Sequence, residues 1–231
     1  MNEKELRSQL ERAKELYSDL IKELPNNISS EEVTYRTRIL TEEIFIKLRT
    51  FLDKCIHYYI NKNSLSIDLS KVYFPISKTK EDFDRVINRY GLNELKTNNS
   101  EFFNLILHFQ PFSSKDREIL SILQEKGSKE KHQFLIKEKK EVSHARTEFK
   151  SPNGSISWSP KNVKFGGKIE MFDVPINLET QEPSYIPSTH KLIKNYEISV
   201  KLSDKNLEVS SLCNSLIKLV EDIFNKIINL K

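Results

Sequence analysis

The sequence predicts an α+β protein in which an antiparallel helical bundle carries an antiparallel β insertion ahead of its last helix. Three observations lead there. Two long stretches near the N-terminus and one at the C-terminus repeat apolar residues at steps of three and four, the spacing that lays one stripe along a helix. Between 134 and 203 the period drops to two and the apolar runs shorten, as half-buried strands require. The pattern changes once in each direction, which divides the chain into a bundle of 1–133 and 204–231 and a β-rich insertion of 134–203.

Leu6, Leu10, Ala13, Tyr17, Leu20 and Leu24 form the first stripe, which Pro25 and two asparagines end. Ser29 with Glu32 three residues on has the pattern of a capping box, hydroxyl and carboxylate each taking a free backbone N–H. It predicts a second helix running to about residue 60 with Val33, Leu40, Ile44, Leu48, Leu52, Cys55 and Tyr59 facing inward. Two long helices joined by a short turn pack antiparallel. Thr79 is placed to cap a third helix carrying Phe83, Val86, Ile87 and Tyr90, and Gly91 to stop it in the left-handed conformation. A fourth helix covers about 101–109 until Pro111 prevents its continuation; a fifth begins at Ser113 with Asp116 and stops at Gly127.

In the insertion, the runs FLI from Phe134 and VSHARTEF, a turn at Pro152, Asn153 and Gly154, and SISW predict a hairpin. Gly166 and Gly167 turn the chain into KIEMF. YEISVKL, with Tyr196, Ile198, Val200 and Leu202 on one face, is the clearest strand and should pair antiparallel with its neighbours. The last helix, about 206–230, has Val209, Leu212, Leu216, Val220, Ile223 and Ile227 as its stripe. That stripe must be buried, so the helix is expected to dock on the first two.

At 231 residues the chain is long enough for a full core, and 37% hydrophobic with 30% charged residues excludes a disordered chain. The 37 basic and 33 acidic residues leave +4. That permits nucleic-acid binding without the clustered excess of a dedicated DNA-binding domain. Cys55 and Cys213 stand far apart in apolar helical stretches and make no disulfide framework or zinc pattern. The charged segment MNEKELRSQLERAKEL and the lack of a long apolar run point to a cytoplasmic protein with no membrane partner. No glycine-rich phosphate loop, nucleophile elbow or metal-ligand spacing is present, and no cofactor is implied.

Candidate chemistry lies in GSKEKHQFLIKEKK, residues 127–140. His132 carries the side chain whose ordinary pKa of ~6.5 suits proton transfer at neutral pH; Lys129 and Lys131 flank it. Glu125, Glu130, Glu138 and Glu141 interrupt the lysines, so the run as a whole reads as a mixed solvated surface. On the second helix, Arg36 would supply a further cation if it points into the bundle, and Arg38 is spaced to pair with Glu42. His57, His108, His144 and His190 show no metal spacing. Trp158, Phe165, Phe172 and Tyr185 read as sheet packing, the other reading being a stacking platform for bases. FPI at 74–76 and QPF at 110–112 read as structural, each proline fixing a turn that Phe74 or Phe112 anchors.

FPI, QPF and KEKHQFLI, in this order and followed by strands and a closing amphipathic helix, resemble a group of bacterial proteins with an FPI, QPY/QPF and N-x-DKHR pattern. More distantly they resemble the HEPN superfamily. The resemblance implies a HEPN-like bundle, RNA binding or metal-independent RNA cleavage in bacterial stress or phage defence, and a homodimer or partner protein. The superfamily's nuclease motif places a histidine five residues after an arginine. His132 matches the histidine, whereas the arginine position falls on Gly127 and the next on Ser128. The resemblance makes His132 the proton-transfer or phosphate-binding group, with Lys129, Lys131 or Arg36 carrying the phosphate contact; a lysine does so as a point charge and not a planar fork. Gly127 and Ser128 favour a second reading, a non-enzymatic dimerisation or protein-interaction module in which His132 is structural. A third is a small-ligand binder using a cleft between bundle and insertion.

Overall fold

The computed structural model describes residues 2–30, 32–127 and 138–230. Helix α1 (Glu3–Glu23) starts at a capping box: the Glu5 N–H donates to the Asn2 side chain and the Asn2 N–H to the Glu5 carboxylate, each at 2.9 Å. Leu6, Leu10, Ala13, Leu16 and Leu20 form its buried stripe, and a 3-10 turn, Leu24–Ile28, ends it at Pro25. Helix α2 (Tyr35–Lys62) is buried on more than one side. Beyond the expected Leu40, Ile44, Leu48, Leu52, Cys55 and Tyr59 it also buries Phe45, Phe51, Ile56 and Ile60, and three polar side chains, Thr37, Thr41 and Arg49.

The cap of α2 differs from the expected Ser29 box. Thr34 is the N-cap, its hydroxyl accepting the Thr37 N–H at 3.2 Å. Ser29 instead donates to the Asn26 carbonyl, and the Glu32 carboxylate receives Arg38 at 3.0 Å. The reason is Asn27, fully buried, whose amide donates to the Thr37 hydroxyl at 2.8 Å and whose side-chain oxygen accepts the Thr34 N–H at 2.7 Å. These bonds hold the chain in a turn for several residues longer and delay the helix to Thr34.

Helix α3 (Lys80–Arg89) is capped by Thr79, whose hydroxyl accepts the Asp82 N–H at 3.1 Å. It ends as expected at Gly91, with φ +67°. The Gly91 N–H reaches the Asn88 carbonyl and the Leu92 N–H the Ile87 carbonyl, at 3.1 and 3.0 Å, while Leu92 and Ile87 are both buried. This is the paired hydrogen-bond and apolar closure of a left-handed helix stop. A short helix, α4 (Leu95–Asn98), precedes α5 (Ser100–His108). The fifth expected helix starts later than Ser113. Two 3-10 turns, Pro111–Ser113 and Lys115–Arg117, come first, separated by the extended Ser114, and α6 spans Ile119–Gly127.

Gly127 serves a purpose other than a left-handed stop. A Cβ added there would lie 2.9 Å from both the Phe45 carbonyl oxygen and the Arg49 Cβ. Glycine is needed because α6 touches the backbone of α2 at this point.

Helix α7 (Val209–Asn229) is capped by Glu208, whose carboxylate accepts the Ser210 and Ser211 N–H groups at 3.3 and 2.7 Å. Its buried stripe lies against α1 and α2. Lys14 pairs with Glu221 at 2.7 Å, Phe224 meets Phe51 edge-on at 5.3 Å, and Lys62 donates to the Leu230 carbonyl at 3.1 Å. The last helix thus returns to the first two, as the need to bury its stripe required.

Among the described residues the strands form two antiparallel three-stranded sheets. The larger has the order β2 (Gly154–Trp158), β1 (Glu138–Ser151), β6 (Lys191–Leu202); the smaller joins β3 (Glu170–Met171), β4 (Val174–Asn177) and β5 (Glu182–Pro183). The β1–β2 hairpin closes through Pro152 and Asn153, with Ser151 opposite Gly154. Residues 134–137, where the first run was expected to begin, lie outside the described residues. β6 supplies Val200 and Leu202 to the main core, whereas Phe149, Trp158, Met171, Val174 and Ile176 make a separate small core at the far end.

A Gly127→Ala substitution is expected to lower stability by about 1–2 kcal/mol, because overpacking against a backbone carbonyl exceeds the gain in helix propensity. Urea unfolding checks it; an unchanged or raised midpoint contradicts the close approach.

Candidate functional site

The FPI and QPF motifs meet in space. Gln110, fully buried, donates through Nε2 to the carbonyls of Pro75 and Ile106, both at 2.9 Å, and accepts the Ser77 N–H at 3.0 Å. From α2, Asp53 Oδ1 accepts the Phe74 N–H at 2.8 Å and Arg49 Nη2 donates to the Phe74 carbonyl at 3.1 Å. Arg49 Nη1 also lies 2.8 Å from Asp53 Oδ1, and His57 Nε2 is 2.7 Å from the Val72 carbonyl. Burial pushes the Asp53 carboxyl up, against the pull of Arg49 and the Phe74 N–H. These groups resemble a polar site, yet each is committed to backbone. Their work is structural, and the Gln110 side chain does it where the sequence pointed to proline and phenylalanine.

A different group stands where the insertion leaves the bundle. Glu138, the first residue of β1, is opposite Leu202 in β6 and is only 8% exposed. By hydrogen-bond geometry neither of its carboxylate oxygens has a partner among the described residues, although the Thr41 hydroxyl lies close enough to favour the charged form. The Thr41 hydroxyl near it donates to the Thr37 carbonyl at 2.9 Å. The Arg38 guanidinium near it gives Nη2 to Glu32 and keeps a buried, unpartnered Nε. Burial drives the Glu138 carboxyl up to about 7, outweighing the attraction of Thr41 and Arg38. A buried acid in this range binds or releases a proton at neutral pH. Burial, together with the charges of Glu138 and Glu208, also pushes up the thiol of Cys213 on α7.

Of the residues selected from sequence, His132, Lys129 and Lys131 lie outside the described residues. Arg36 is exposed on the first turn of α2. Both flanks of the histidine segment are seated on that same helix: Gly127 against Phe45 and Arg49, and Glu138 beside Thr41 and Arg38. Arg38 reaches Glu32 at 3.0 Å. The remaining histidines have local partners. His108 is near Arg117, and burial followed by that cation lowers its pKa. His144 bonds the Thr147 hydroxyl at 2.9 Å, and His190 lies against the Phe149 ring. Trp158, with Phe165 edge-on at 5.4 Å, packs in the small core, as does Phe172; Tyr185 is exposed.

A cleft of about 480 Å³ lies between the sheet and the start of α7, lined by Glu141, Ser143, Lys161, Glu197, Glu208 and Ser210 among others. Its carboxylates are engaged: Glu141 by Lys201 at 2.5 Å, Glu197 by Lys161 at 3.7 Å, and Glu208 as the α7 cap. Among the described residues no group of three His, Cys, Asp or Glu side chains could hold a metal ion, and no helix is long and apolar enough to cross a membrane. No protein family, curated protein or solved structure matches the chain.

Glu138 escaped sequence reasoning, although a signal existed. Positions 138, 140, 142 and 144 share the face of β1 that opposes Leu202, Val200, Ile198 and Tyr196, so the strand opens with an acid in the inward phase.

The raised pKa gives a pH dependence of definite sign. Below about pH 4.5 Glu138 is protonated in both folded and unfolded chains and costs nothing. Between about 4.5 and 7 the unfolded chain releases its proton first, so stability falls as pH rises, and above 7 the full penalty remains. Glu138→Gln should therefore leave stability near wild type at pH 4.5 and raise it by about 1–3 kcal/mol at pH 8. Unfolding at the two pH values checks this; a variant less stable than wild type at pH 8 contradicts it.

Proposed function

We propose that the chain is a HEPN-like bacterial protein that binds RNA or cleaves it without a metal ion. His132 moves the proton, Lys129, Lys131 and Arg36 hold phosphate, and the setting is stress or phage defence. The observation that carries the reading is that both flanks of the histidine segment are seated on the N-terminal half of α2, the helix that bears Arg36 and Arg38. Residues 127 and 138, which bound the segment, and the helical cations therefore share one helix.

The chemistry needs little more. A base takes the proton of an RNA 2′-hydroxyl, whose oxygen attacks the adjacent phosphorus. The bond to the 5′-oxygen breaks, and an acid protonates that leaving oxygen. The products are a 2′,3′-cyclic phosphate and a 5′-hydroxyl. Cations around the phosphate stabilise charge that grows on its oxygens in the transition state. Glu138 adds a second group that exchanges a proton near neutral pH beside the departing segment.

End-labelled RNA incubated with the purified chain in excess chelator should yield fragments ending in cyclic phosphate. His132→Ala should abolish them while the melting temperature stays the same, and Arg36→Ala should raise KM more than it lowers kcat. RNA bound but left intact by wild type would reduce the reading to binding. No binding and no cleavage would leave the protein-interaction module, with His132 structural.

A further inference from the structure

We propose that the open middle of the larger sheet, between the bundle and the small core, is a binding surface for single-stranded RNA with Tyr196 and His144 as its stacking platform. The inference rests on the RNA reading above and adds where the bases lie.

The register of the sheet creates the surface. Opposite residues share a face, so the even positions of β6 stand beside 138, 140, 142 and 144 of β1. The register then shifts between His144 and Arg146, and beyond the shift Thr147 and Phe149 join the same face. At one end of this face Val200 and Leu202 enter the main core; at the other Phe149 enters the small one. Only the stretch between them is uncovered, and there Val142 is 43% and Tyr196 47% exposed.

The exposed stretch is suited to bases. The Tyr196 and His144 rings lie 5.3 Å apart at an interplanar angle of 31°, a nearly continuous aromatic floor. The bond to Thr147 at 2.9 Å holds the His144 ring in place before any ligand arrives. Val142 and Ile198 extend the floor toward the bundle. Charge follows the same division. Lys140, on this face, gives an N–H to the neutral Asn27 carbonyl at 3.1 Å and has no carboxylate partner among the described residues. Lys194, also on this face, is paired with Glu182. The exposed carboxylates of the two strands in this stretch, Glu141 and Glu197, belong to the opposite face, and Glu138 is buried at the root. Rings flanked by a lysine with no carboxylate partner among the described residues, and with no exposed carboxylate of their own strands on the same face, favour a chain of bases on a phosphate backbone over an apolar or basic partner.

The test is fluorescence anisotropy with a labelled 2′-O-methyl oligouridine of about 12 nucleotides, a length that spans a typical single-strand site. It lacks the attacking hydroxyl and stays intact. Tyr196→Ala should weaken binding roughly ten-fold or more, His144→Ala several-fold, and Tyr196→Phe no more than about two-fold, because stacking needs the ring and not the hydroxyl. An unchanged melting temperature separates lost binding from lost fold, and the His144 variant decides the matter if Tyr196→Ala does not fold. Wild-type binding that Tyr196→Ala and His144→Ala leave unchanged overturns this inference and leaves the RNA reading standing. So does equal affinity for a duplex of the same length. Absence of binding by wild type overturns both. A wild-type dimer in sedimentation that Tyr196→Ala dissociates would assign the face to a second copy of this chain, and would likewise overturn the inference.

Discussion

A buried backbone must find hydrogen bonds, and residues 72–77 are a largely buried segment outside any helix or strand, with no strand paired to them among the described residues. Side chains supply what a sheet would otherwise supply. His57, Asp53 and Arg49 from α2 and Gln110 from the end of α5 satisfy the segment at Val72, Phe74, Pro75 and Ser77. Because each buried polar group left without a partner costs about 1–3 kcal/mol, the arrangement works only as a set. It fixes α2 relative to α5, and with Phe74 and Phe83 in the core behind it, the position of α3 as well.

The same helix organises the other end of the molecule. Thr37 takes the amide of Asn27, Asn27 holds the turn from α1, and its carbonyl receives Lys140 from the root of β1. Gly127 lets α6 press against the α2 backbone close to where Glu138 returns as a strand. The β insertion is thus tied at its base by polar contacts to α2 and its preceding turn and by Val200 and Leu202 to the main core, while its far end has a core of its own. Such a division leaves a strip of sheet open between two packed regions.

How much of this the sequence discloses depends on the range of the interaction. The stripes of α1, α2 and α7, the Thr79 cap, the Gly91 stop and the Pro152–Asn153 hairpin are local and were legible from spacing alone. The α2 cap was not, because Asn27 competes from outside the capping pattern. Gly127 was visible as a glycine but not as a helix contact, since the clash it avoids is with residues far away in the chain. The partners of Gln110 and the burial of Glu138 have the same long-range origin, although a charge in the inward phase of a strand leaves a local trace in the sequence. Tyr196 was placed on the apolar face correctly, yet its exposure depends on where two cores end, which periodicity does not reveal.

The candidate chemistry and the structural frame share α2, so the frame has to be right for the site to be right. Urea unfolding of Gln110→Leu tests the frame most directly, because leucine keeps most of the volume and removes the two hydrogen bonds that residue 110 makes to the 72–77 segment, at Pro75 and Ser77. The account predicts a loss of about 3 kcal/mol with faster exchange of the Ser77 amide. A loss within about 0.5 kcal/mol of zero, with the Ser77 amide still protected, would show that the Gln110 side chain does not hold the segment in place.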